Sequence, residues 1–224
     1  MTGIGAVSAV FLLVFKDTLL GIVASIQATA LNIVRVDDRV SLDKYNVDGT
    51  ILSMAISTVK IRNNDNTIVT IPTYMITSEI LKNWRGVSDF GARRIKRAMY
   101  LDINSVKECS DELYATLTQL IYNLSNQQLA VPNIDNSVKN NIINLNLYRQ
   151  YIELYLYQHK DISKDYSILV RHLAPTPNGL PLEIHAFTHC VIWDDYERIQ
   201  ADIFEHCFAV LSIFELQVLQ KAVV

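Results

Sequence analysis

The sequence predicts a protein of three parts: a membrane α-helical segment, a small β-domain and an α+β domain. Three observations predict this fold class. Between residues 1 and 34 the only charged residues are Lys16 and Asp17. From residue 35 to Pro72, apolar residues recur with the period of two that is typical of strands. After residue 91, strand-like and helix-like runs alternate. We therefore expect domains at residues 1–34, 35–90 and 91–224.

The composition excludes several classes of protein. The chain has 224 residues, of which 50% are hydrophobic, so it can bury a core. Its net charge of -3 argues against a nucleic-acid partner, because proteins that wrap nucleic acid are basic. The three cysteines lack CxxC spacing, which indicates free thiols in a reducing compartment.

The N-terminal segment consists of two uncharged runs, residues 1–15 and 18–34. Each is shorter than the roughly 20 residues that a helix needs to span a bilayer, so together they predict one membrane helix interrupted at Lys16 and Asp17. Two alternatives stay open. A secretory signal would use the small residues of Ala28-Thr29-Ala30, but no basic residue precedes the apolar run. A buried core helix of a soluble protein is the other alternative.

The two halves of this segment differ in their small residues. Small side chains in the first half let helices approach closely in a membrane, as in a ring around a pore. They are Gly3, Gly5, Ala6, Ser8 and Ala9. In the second half, small and polar residues recur every three or four positions opposite an apolar face. That half can lie along the membrane interface, with the helix leaving the membrane at Lys16 and Asp17.

Residues 35–90 have the pattern of a small β-barrel. Alternation indicates strands around residues 40–42, 50–62 and 67–71, and Pro72 ends the last one. Asp48-Gly49 and residues 63–66 have the composition of turns. The second of these clusters lacks the glycine and glutamate of a calcium-binding EF-hand loop, so we assign no metal there.

The pattern of the last domain is typical of an α/β sandwich. We expect strands at residues 95–103, 166–173 and 182–193, the last two paired across a turn at residues 175–181. Helices are expected at residues 110–124 and from Asp194 or Asp195 to Leu219. An Asn-rich loop or insertion is expected near residues 123–146. The periodicity of residues 147–158 leaves strand and helix open.

No constellation of residues predicts an enzyme, a metal site or a cofactor. The histidines and cysteines near the C-terminus match no zinc-ligand spacing. They are His185, His189, Cys190, His206 and Cys207. A thiol nucleophile would need partners that no linear motif supplies. The compact basic run at residues 93–97 favours a solvated strand or a subunit salt bridge over an anion contact.

Five motifs follow the N-terminal helix in order. They are Arg35-Val36-Asp37-Asp38-Arg39-Val40, Asp48-Gly49-Thr50-Ile51, Ser57-Thr58-Val59-Lys60-Ile61-Arg62, Asp65-Asn66-Thr67-Ile68-Val69-Thr70-Ile71-Pro72 and Lys82-Asn83-Trp84-Arg85. In this order they resemble the cytoplasmic β-domain of the small-conductance mechanosensitive channel family. Residues 91–97, 173–184 and 196–204 are similar to the miniconductance branch of that family. Together these motifs cover nearly the whole chain.

The resemblance implies a homoheptamer in the bacterial inner membrane. Each subunit would have a bent pore helix, an Sm-like or SH3-like β-barrel and a ferredoxin-like cytoplasmic α/β domain. The channel would open under membrane tension and release ions and small osmolytes during osmotic downshock, with membrane lipid as a partner and without a cofactor. Family members carry further membrane helices before this one, so the resemblance implies that the printed sequence is part of a longer polypeptide. The alternative is a membrane-anchored cytoplasmic interaction module without conductance.

The resemblance also implies site residues along the N-terminal helix. The two hydrophobic gate rings fall at Ala9 and Leu13, and Gly5 also lines the pore. Three residues form the hinge: Lys16, Asp17 and Gly21.

Several positions depart from the family pattern. Ala9 is smaller than the usual leucine, and a charged pair, Lys16-Asp17, replaces a flexible pair at the bend. Asp37 stands where the family has a glycine, and Thr73 stands where it has an asparagine.

Overall fold

The computed structural model describes residues 2–125 and 142–220. They form two compact units, Met1–Phe90 and Gly91–Val224. Each unit has its own hydrophobic core. The central part of the predicted Asn-rich insertion, residues 126–141, lies outside the described residues.

The N-terminal unit begins with one helix, α1 (Thr2–Ala30), of 29 residues. At 1.5 Å per residue this helix is about 43 Å long. The predicted interruption at Lys16 and Asp17 is wrong as a break in the backbone, because the helix continues through both residues. Lysine is a good helix former, and aspartate costs less than about 1 kcal/mol in a helix interior.

The C-terminal end of α1 is a Schellman cap, which stops the helix before the predicted boundary at residue 34. The Asn32 N–H donates to the Thr29 carbonyl at 3.2 Å, and the Ile33 N–H donates to the Ala28 carbonyl at 3.0 Å. Asn32 adopts φ 53°, a left-handed conformation that asparagine tolerates better than most residues. The sequence did not predict this end because no glycine marks it.

Five antiparallel strands follow α1. They are β1 (Arg39–Leu42), β2 (Val47–Met54), β3 (Thr58–Asn63), β4 (Ile68–Pro72) and β5 (Lys82–Asn83). Their order in the sheet is β4-β3-β2-β1-β5. Two short helices, α2 (Met75–Ser78) and α3 (Arg85–Asp89), flank β5. These antiparallel strands fit the predicted small β-barrel, and the core of this domain includes Val40, Ile51, Ile61 and Ala28 of α1.

One predicted turn is wrong. Asp48 and Gly49 lie inside β2, where they pair with β1 on one side while Gly49 also pairs with β3 on the other. A Cβ atom at position 49 would collide with the backbone of Arg62, so the close approach of β3 requires glycine there. The chain turns earlier instead, in a 3-10 turn at Asp43–Tyr45 that ends with Asn46 at φ 53°.

In its described residues, the second unit has a three-stranded antiparallel sheet and three long helices. Its strands are β6 (Arg93–Leu101), β7 (Leu169–His172) and β8 (Leu180–Thr188), with β8 in the centre. Its helices are α4 (Asp111–Ser125), α5 (Asn144–Gln158) and α6 (Trp193–Val210). The predicted strand pair and the helix at 110–124 are confirmed, and the undecided residues 147–158 are helical.

The predicted continuation of the last helix to Leu219 is wrong. A 3-10 turn, Leu211–Phe214, follows α6, and Glu215 then adopts φ 54°. The Leu216 N–H donates back to the Leu211 carbonyl at 3.1 Å. Beyond this turn, Val218 pairs with Leu101 at the end of β6. Apolar residues therefore continue past α6 because the turn buries Leu211 and Phe214 and the segment after it buries Leu216.

The helices cover one face of this sheet. Ile95 and Met99 of β6 and Ile184 of β8 lie in one core cluster with residues of α5 and α6. The Tyr148 hydroxyl of α5 donates to the Cys207 carbonyl of α6 at 2.8 Å. Burial raises the pKa of the Cys207 thiol to about 12. A thiol with this pKa carries almost no thiolate at neutral pH, so Cys207 is a core residue rather than a nucleophile.

Helices α5 and α6 also meet at a stack of aromatic rings. The His206 ring centroid lies 3.9 Å from that of Tyr155, and the Tyr151 hydroxyl lies 3.2 Å from His206 Nε2. Burial, with the His159 imidazole as a smaller cause, lowers the pKa of His206. Burial also lowers the pKa of His159. The folded unit therefore favours the neutral form of both imidazoles.

We expect the second unit to lose stability as the pH falls below about 6.5, the ordinary pKa of histidine. The unfolded chain binds protons more readily than folded His206 and His159 do, so acid favours unfolding. His206→Phe keeps a ring against Tyr155 and should weaken this pH dependence. Urea unfolding in detergent between about pH 7.5 and 5.5 measures it, with the exposed His189→Phe as the matched control. An unchanged pH dependence in His206→Phe would contradict the assignment.

Candidate functional site: helix α1 and its junction with the β-sheet

Helix α1 exposes a long apolar surface. Residues Leu13–Ala30 have a mean hydropathy of 1.3, and 17% of this stretch is buried. By length and composition this helix can cross a membrane. Large apolar side chains are exposed further toward the N-terminus as well, namely Val7, Val10 and Phe11. A surface of this size needs lipid or protein to cover it.

The predicted pore residues form one row on this surface. Gly5, Ala9 and Leu13 are four residues apart, so they follow a single ridge of the helix. All three are exposed, and the exposed fraction of Leu13 is 79%. Within the described residues, a Cβ atom placed on Gly5 would meet nothing at 4 Å or closer. The row is therefore open to other molecules, and its role in a pore stays a prediction.

The predicted hinge residues lie where α1 begins to contact the rest of its unit. Lys16 and Asp17 are exposed, and Gly21 is the first buried residue after them. A Cβ atom on Gly21 would lie 3.2 Å from the Ile56 carbonyl oxygen and 3.4 Å from Ser57 Cα. Gly21 thus lets α1 pack closely on the turn between β2 and β3. Its role as a hinge stays a prediction.

The stripe of small residues continues toward the end of α1. Ala24 and Ala28 are buried, and they lie three and seven residues after Gly21 on the same side of the helix. Ala28 belongs to the core of the β-domain. One side of the C-terminal third of α1 therefore packs on the β-domain, whereas the N-terminal part is exposed.

Thr73 holds the turn on which α1 rests. Its side chain is fully buried, and its hydroxyl donates to the Ala55 carbonyl at 3.0 Å. Its N–H donates to the Ser57 carbonyl, also at 3.0 Å. Both acceptors flank Ile56, the residue that faces Gly21. The threonine that replaces the family's asparagine therefore fixes the surface that receives the helix.

A buried carboxylate, Asp38, organises the junction between α1 and the sheet. Its side chain is 8% exposed. The Oδ2 atom accepts hydrogen bonds from the Arg35 N–H at 2.8 Å, from Asn83 Nδ2 at 2.9 Å and from Arg85 Nη1 at 2.9 Å. Linear spacing could not predict this cluster, because Arg85 lies 47 positions from Asp38.

The partners of Asp38 also bind the end of α1 directly. Arg85 Nη2 donates to the Asn32 carbonyl at 2.9 Å, and Asn83 Nδ2 donates to the Ile33 carbonyl at 3.0 Å. Arg85 belongs to α3 and Asn83 to β5. The Asp38 carboxylate and its partners therefore connect the end of α1, the linker after it, β5 and α3 through hydrogen bonds.

The backbone between this helix and β1 has a left-handed residue at Asp37, with φ 71°. Glycine adopts this conformation without cost, and aspartate is among the residues that tolerate it. The conformation explains why a glycine is expected at this position. Asp37 keeps the turn, since its N–H donates to the Ile51 carbonyl at 2.9 Å.

The other candidates from the sequence were a metal site and the basic run at residues 93–97, and neither involves α1. Among residues 2–125 and 142–220, no group of three or more His, Cys, Asp or Glu side chains is placed to hold a metal ion. The basic run lies on β6. There the Arg93 guanidinium stacks 4.3 Å from the ring centroids of both Trp193 and Tyr196.

Comparison with known proteins identifies the β-domain. Residues 17–86 match the family model of the mechanosensitive ion channel β-domain. This match covers the C-terminal half of α1, from Asp17 onward, and the whole five-stranded sheet. It confirms the resemblance inferred from the order of the motifs.

The fold is also similar to solved structures. The cryo-EM structure of Arabidopsis thaliana MSL1 has a TM-score of 0.64 and 13% identity, over 98% of this chain and 64% of that chain. The crystal structure of Helicobacter pylori MscS in the closed state has a TM-score of 0.61 and 13% identity, over 100% and 70%. A variant of the Arabidopsis protein has a TM-score of 0.66 and 12% identity, over 99% and 67%. The chain therefore spans about two thirds of the length of these solved chains and shares their fold. Its assignment to the miniconductance branch of the family stays a prediction.

We expect Asp38→Ala to destabilise the N-terminal unit by about 3 kcal/mol, because it leaves the Arg85 guanidinium and two further donors without their buried acceptor. Hydrogen exchange of the Arg35 amide and thermal unfolding in detergent measure the effect. Asp89→Ala is the matched control, since that carboxylate is 62% exposed and lies 3.8 Å from the same Arg85. Equal effects of the two variants would contradict the role of Asp38.

We expect Gly21→Val to destabilise the junction by about 1 to 3 kcal/mol more than Gly5→Val does. Both substitutions change helix propensity equally, so the difference reports the contact of Gly21 with Ile56 and Ser57. Thermal unfolding in detergent and hydrogen exchange at residues 55–58 measure it. Equal stability of the two variants would show that α1 does not rest on this turn.

Proposed function

We propose that this chain, whose residues 17–86 form the β-domain of mechanosensitive ion channels, is a channel subunit that opens under membrane tension. The observation that carries the proposal is an exposed apolar helix that is built into the core of this β-domain at one end only. Opening would release ions and small solutes during osmotic downshock. Channels are not enzymes, and the proposal assigns no catalytic residue.

In the proposed channel, residues 1–34 line the pore and lie along the interface, residues 35–90 couple the helix to the cytoplasmic side, and residues 91–224 form a cytoplasmic domain. One helix cannot enclose a pore, so several copies must associate. The small residues at positions 5 and 9 let neighbouring copies of α1 approach closely. We propose seven copies, the number that the family resemblance implies, in a bacterial inner membrane.

The gate in this proposal is hydrophobic. Copies of Leu13 and Ala9 would form two apolar rings around the axis, with Gly5 beside them. A narrow apolar constriction excludes water and ions without a plug, and widening it restores a continuous water column. Leu13 supports this role because its exposed fraction of 79% leaves the side chain available to face a pore.

The hinge in this proposal lies just before the fixed part of the helix. From Gly21 onward α1 is held by the β-domain, whereas Lys16 and Asp17 are exposed. The free-energy cost of a change in helix direction is therefore lowest on the N-terminal side of Gly21, where fewer contacts must break. Tension favours whichever state has the larger area in the membrane plane, so tilting of the N-terminal part shifts the equilibrium toward an open pore.

Two measurements test the proposal. Native mass measurement in detergent should find seven subunits, and patch recordings from lipid vesicles should show current that rises reversibly with suction. A single subunit without current would overturn the proposal. An assembled protein that never conducts would favour the alternative of a membrane-anchored interaction module.

We expect Leu13→Ser to make the channel leak at rest or open at lower tension, because a polar ring lowers the cost of wetting the constriction. Patch recording of the tension at half-maximal current measures the change. Val7→Ser is the matched control, since Val7 is 71% exposed and lies on the opposite side of α1 from Ala9 and Leu13. Equal thresholds for the two variants would contradict the assignment of Leu13 to the gate.

A further inference from the structure

The outer face of the second sheet, opposite its helices, is basic. Arg94 and Lys96 of β6 and Arg171 of β7 are exposed on this face. Glu183 of the central strand β8 lies among them and is 6% exposed. We call these residues, together with their neighbour His185, the basic sheet face.

Glu183 does not cancel the charge of this face. Its Oε1 atom accepts hydrogen bonds from Arg171 Nε at 2.9 Å and Nη2 at 2.7 Å. Its Oε2 atom lies 3.9 Å from Lys96 Nζ. Within the described part of the chain, no salt bridge involves Arg94. The face thus carries three cations and one carboxylate, so it attracts an anionic partner.

The centre of the basic sheet face contains an unsatisfied polar atom. Nδ1 of His185 is buried and forms no hydrogen bond with the residues that the structure describes. His185 is opposite Lys96 on β6 and two residues from Glu183 on the same side of β8. Buried polar atoms are nearly always hydrogen-bonded. Exposed Leu169 opposite His185, and exposed Tyr100 further along β6, give the face apolar area as well.

The exposed side of α6 has the opposite charge. Its exposed residues recur at helical spacing and include three carboxylates, Asp194, Asp202 and Glu205. The exposed cation in this stripe, Arg198, donates to Asp195 at 2.7 Å. The stripe also contains two small residues and one large apolar residue, Ala201, Ala209 and Phe208. We call this surface the acidic helix stripe.

The two surfaces lie on opposite sides of the unit. Ile199, Ile203 and Cys207 of α6 belong to the core cluster under the inner face of the sheet. The acidic helix stripe is on the other side of α6, and therefore points away from the sheet. A single copy cannot bring its own two surfaces together.

We propose that the acidic helix stripe of one copy docks on the basic sheet face of the next copy. The proposal rests on the proposed oligomeric channel and names the surfaces of the second unit that hold its subunits together. A contact between unlike surfaces runs head to tail, and it forms a ring when the rotation between successive copies closes. A two-fold contact of either surface with itself would instead bring like charges together, which is unfavourable. Ala201 and Ala209 permit a close approach of the stripe to the basic sheet face.

Charge-reversal variants of the full chain in detergent test this proposal. The basic-side variant is Arg94→Glu with Lys96→Glu, which leaves the Arg171–Glu183 pair in place. The acidic-side variant is Asp202→Lys with Glu205→Lys. We expect each to weaken assembly about tenfold, as loss of close charge pairs at an interface does, and the combination of all four to restore it. Native mass spectrometry measures the assembled fraction at matched protein concentration.

The control variant is Lys60→Glu with Lys160→Glu, which changes the net charge by the same amount as the basic-side variant. Both lysines are exposed, on β3 and just after α5. A second measurement joins wild-type copies with a zero-length carbodiimide. In a mixture of isotopically light and heavy chains, the linked peptides should connect Lys96 of one isotope to Asp202 or Glu205 of the other.

The outcomes separate the two proposals. Assembly that all reversals leave unchanged, without these links, overturns the docking and leaves the channel in place. Loss of assembly in both variants without rescue by their combination also overturns the docking. A wild-type monomer overturns the channel and the docking together. Single-stranded RNA that binds the wild type and not the basic-side variant, with assembly unchanged, would reassign the basic sheet face to nucleic acid.

Discussion

The buried carboxylate of Asp38 is the interaction on which the arrangement of the N-terminal unit depends. A carboxylate in this position is stable only because three donors meet on it, and those donors come from the linker, β5 and α3. Two of the three donor residues, Asn83 and Arg85, also bind carbonyls just after the end of α1. The direction in which the apolar helix leaves the sheet is therefore a consequence of satisfying one charge.

The sequence predicted the helices and strands of the fold better than the residues at which they begin and end. Alternation located the β-domain, but Asp48-Gly49 has the composition of a turn and lies in a strand, because glycine is needed there for close strand packing. Asp37 departs from the glycine of the family pattern, and its left-handed backbone conformation explains why glycine is usual there. The Asp38 cluster could not be predicted, since its members are far apart in sequence and none is unusual in its local context. The role of the row from Gly5 to Leu13 depends on neighbouring copies, which one chain's sequence does not place.

The two units use charge in different ways. In the N-terminal unit, a buried charge is neutralised within the chain and fixes local geometry. In the second unit, exposed charges of opposite sign lie on two opposite surfaces, where they cost little free energy in water. The first use stabilises one subunit, whereas in the proposed docking the second would select which surfaces of different subunits come together.

The Schellman cap has a consequence for how α1 meets lipid. The carbonyls of Gln27, Ala28 and Thr29 all accept hydrogen bonds from backbone N–H groups, so they need neither water nor lipid headgroups as partners. In a bilayer, the depth of this helix end is then set by the apolar length before it. Such a helix responds to hydrophobic mismatch, so thinner and thicker bilayers would hold it at different tilts.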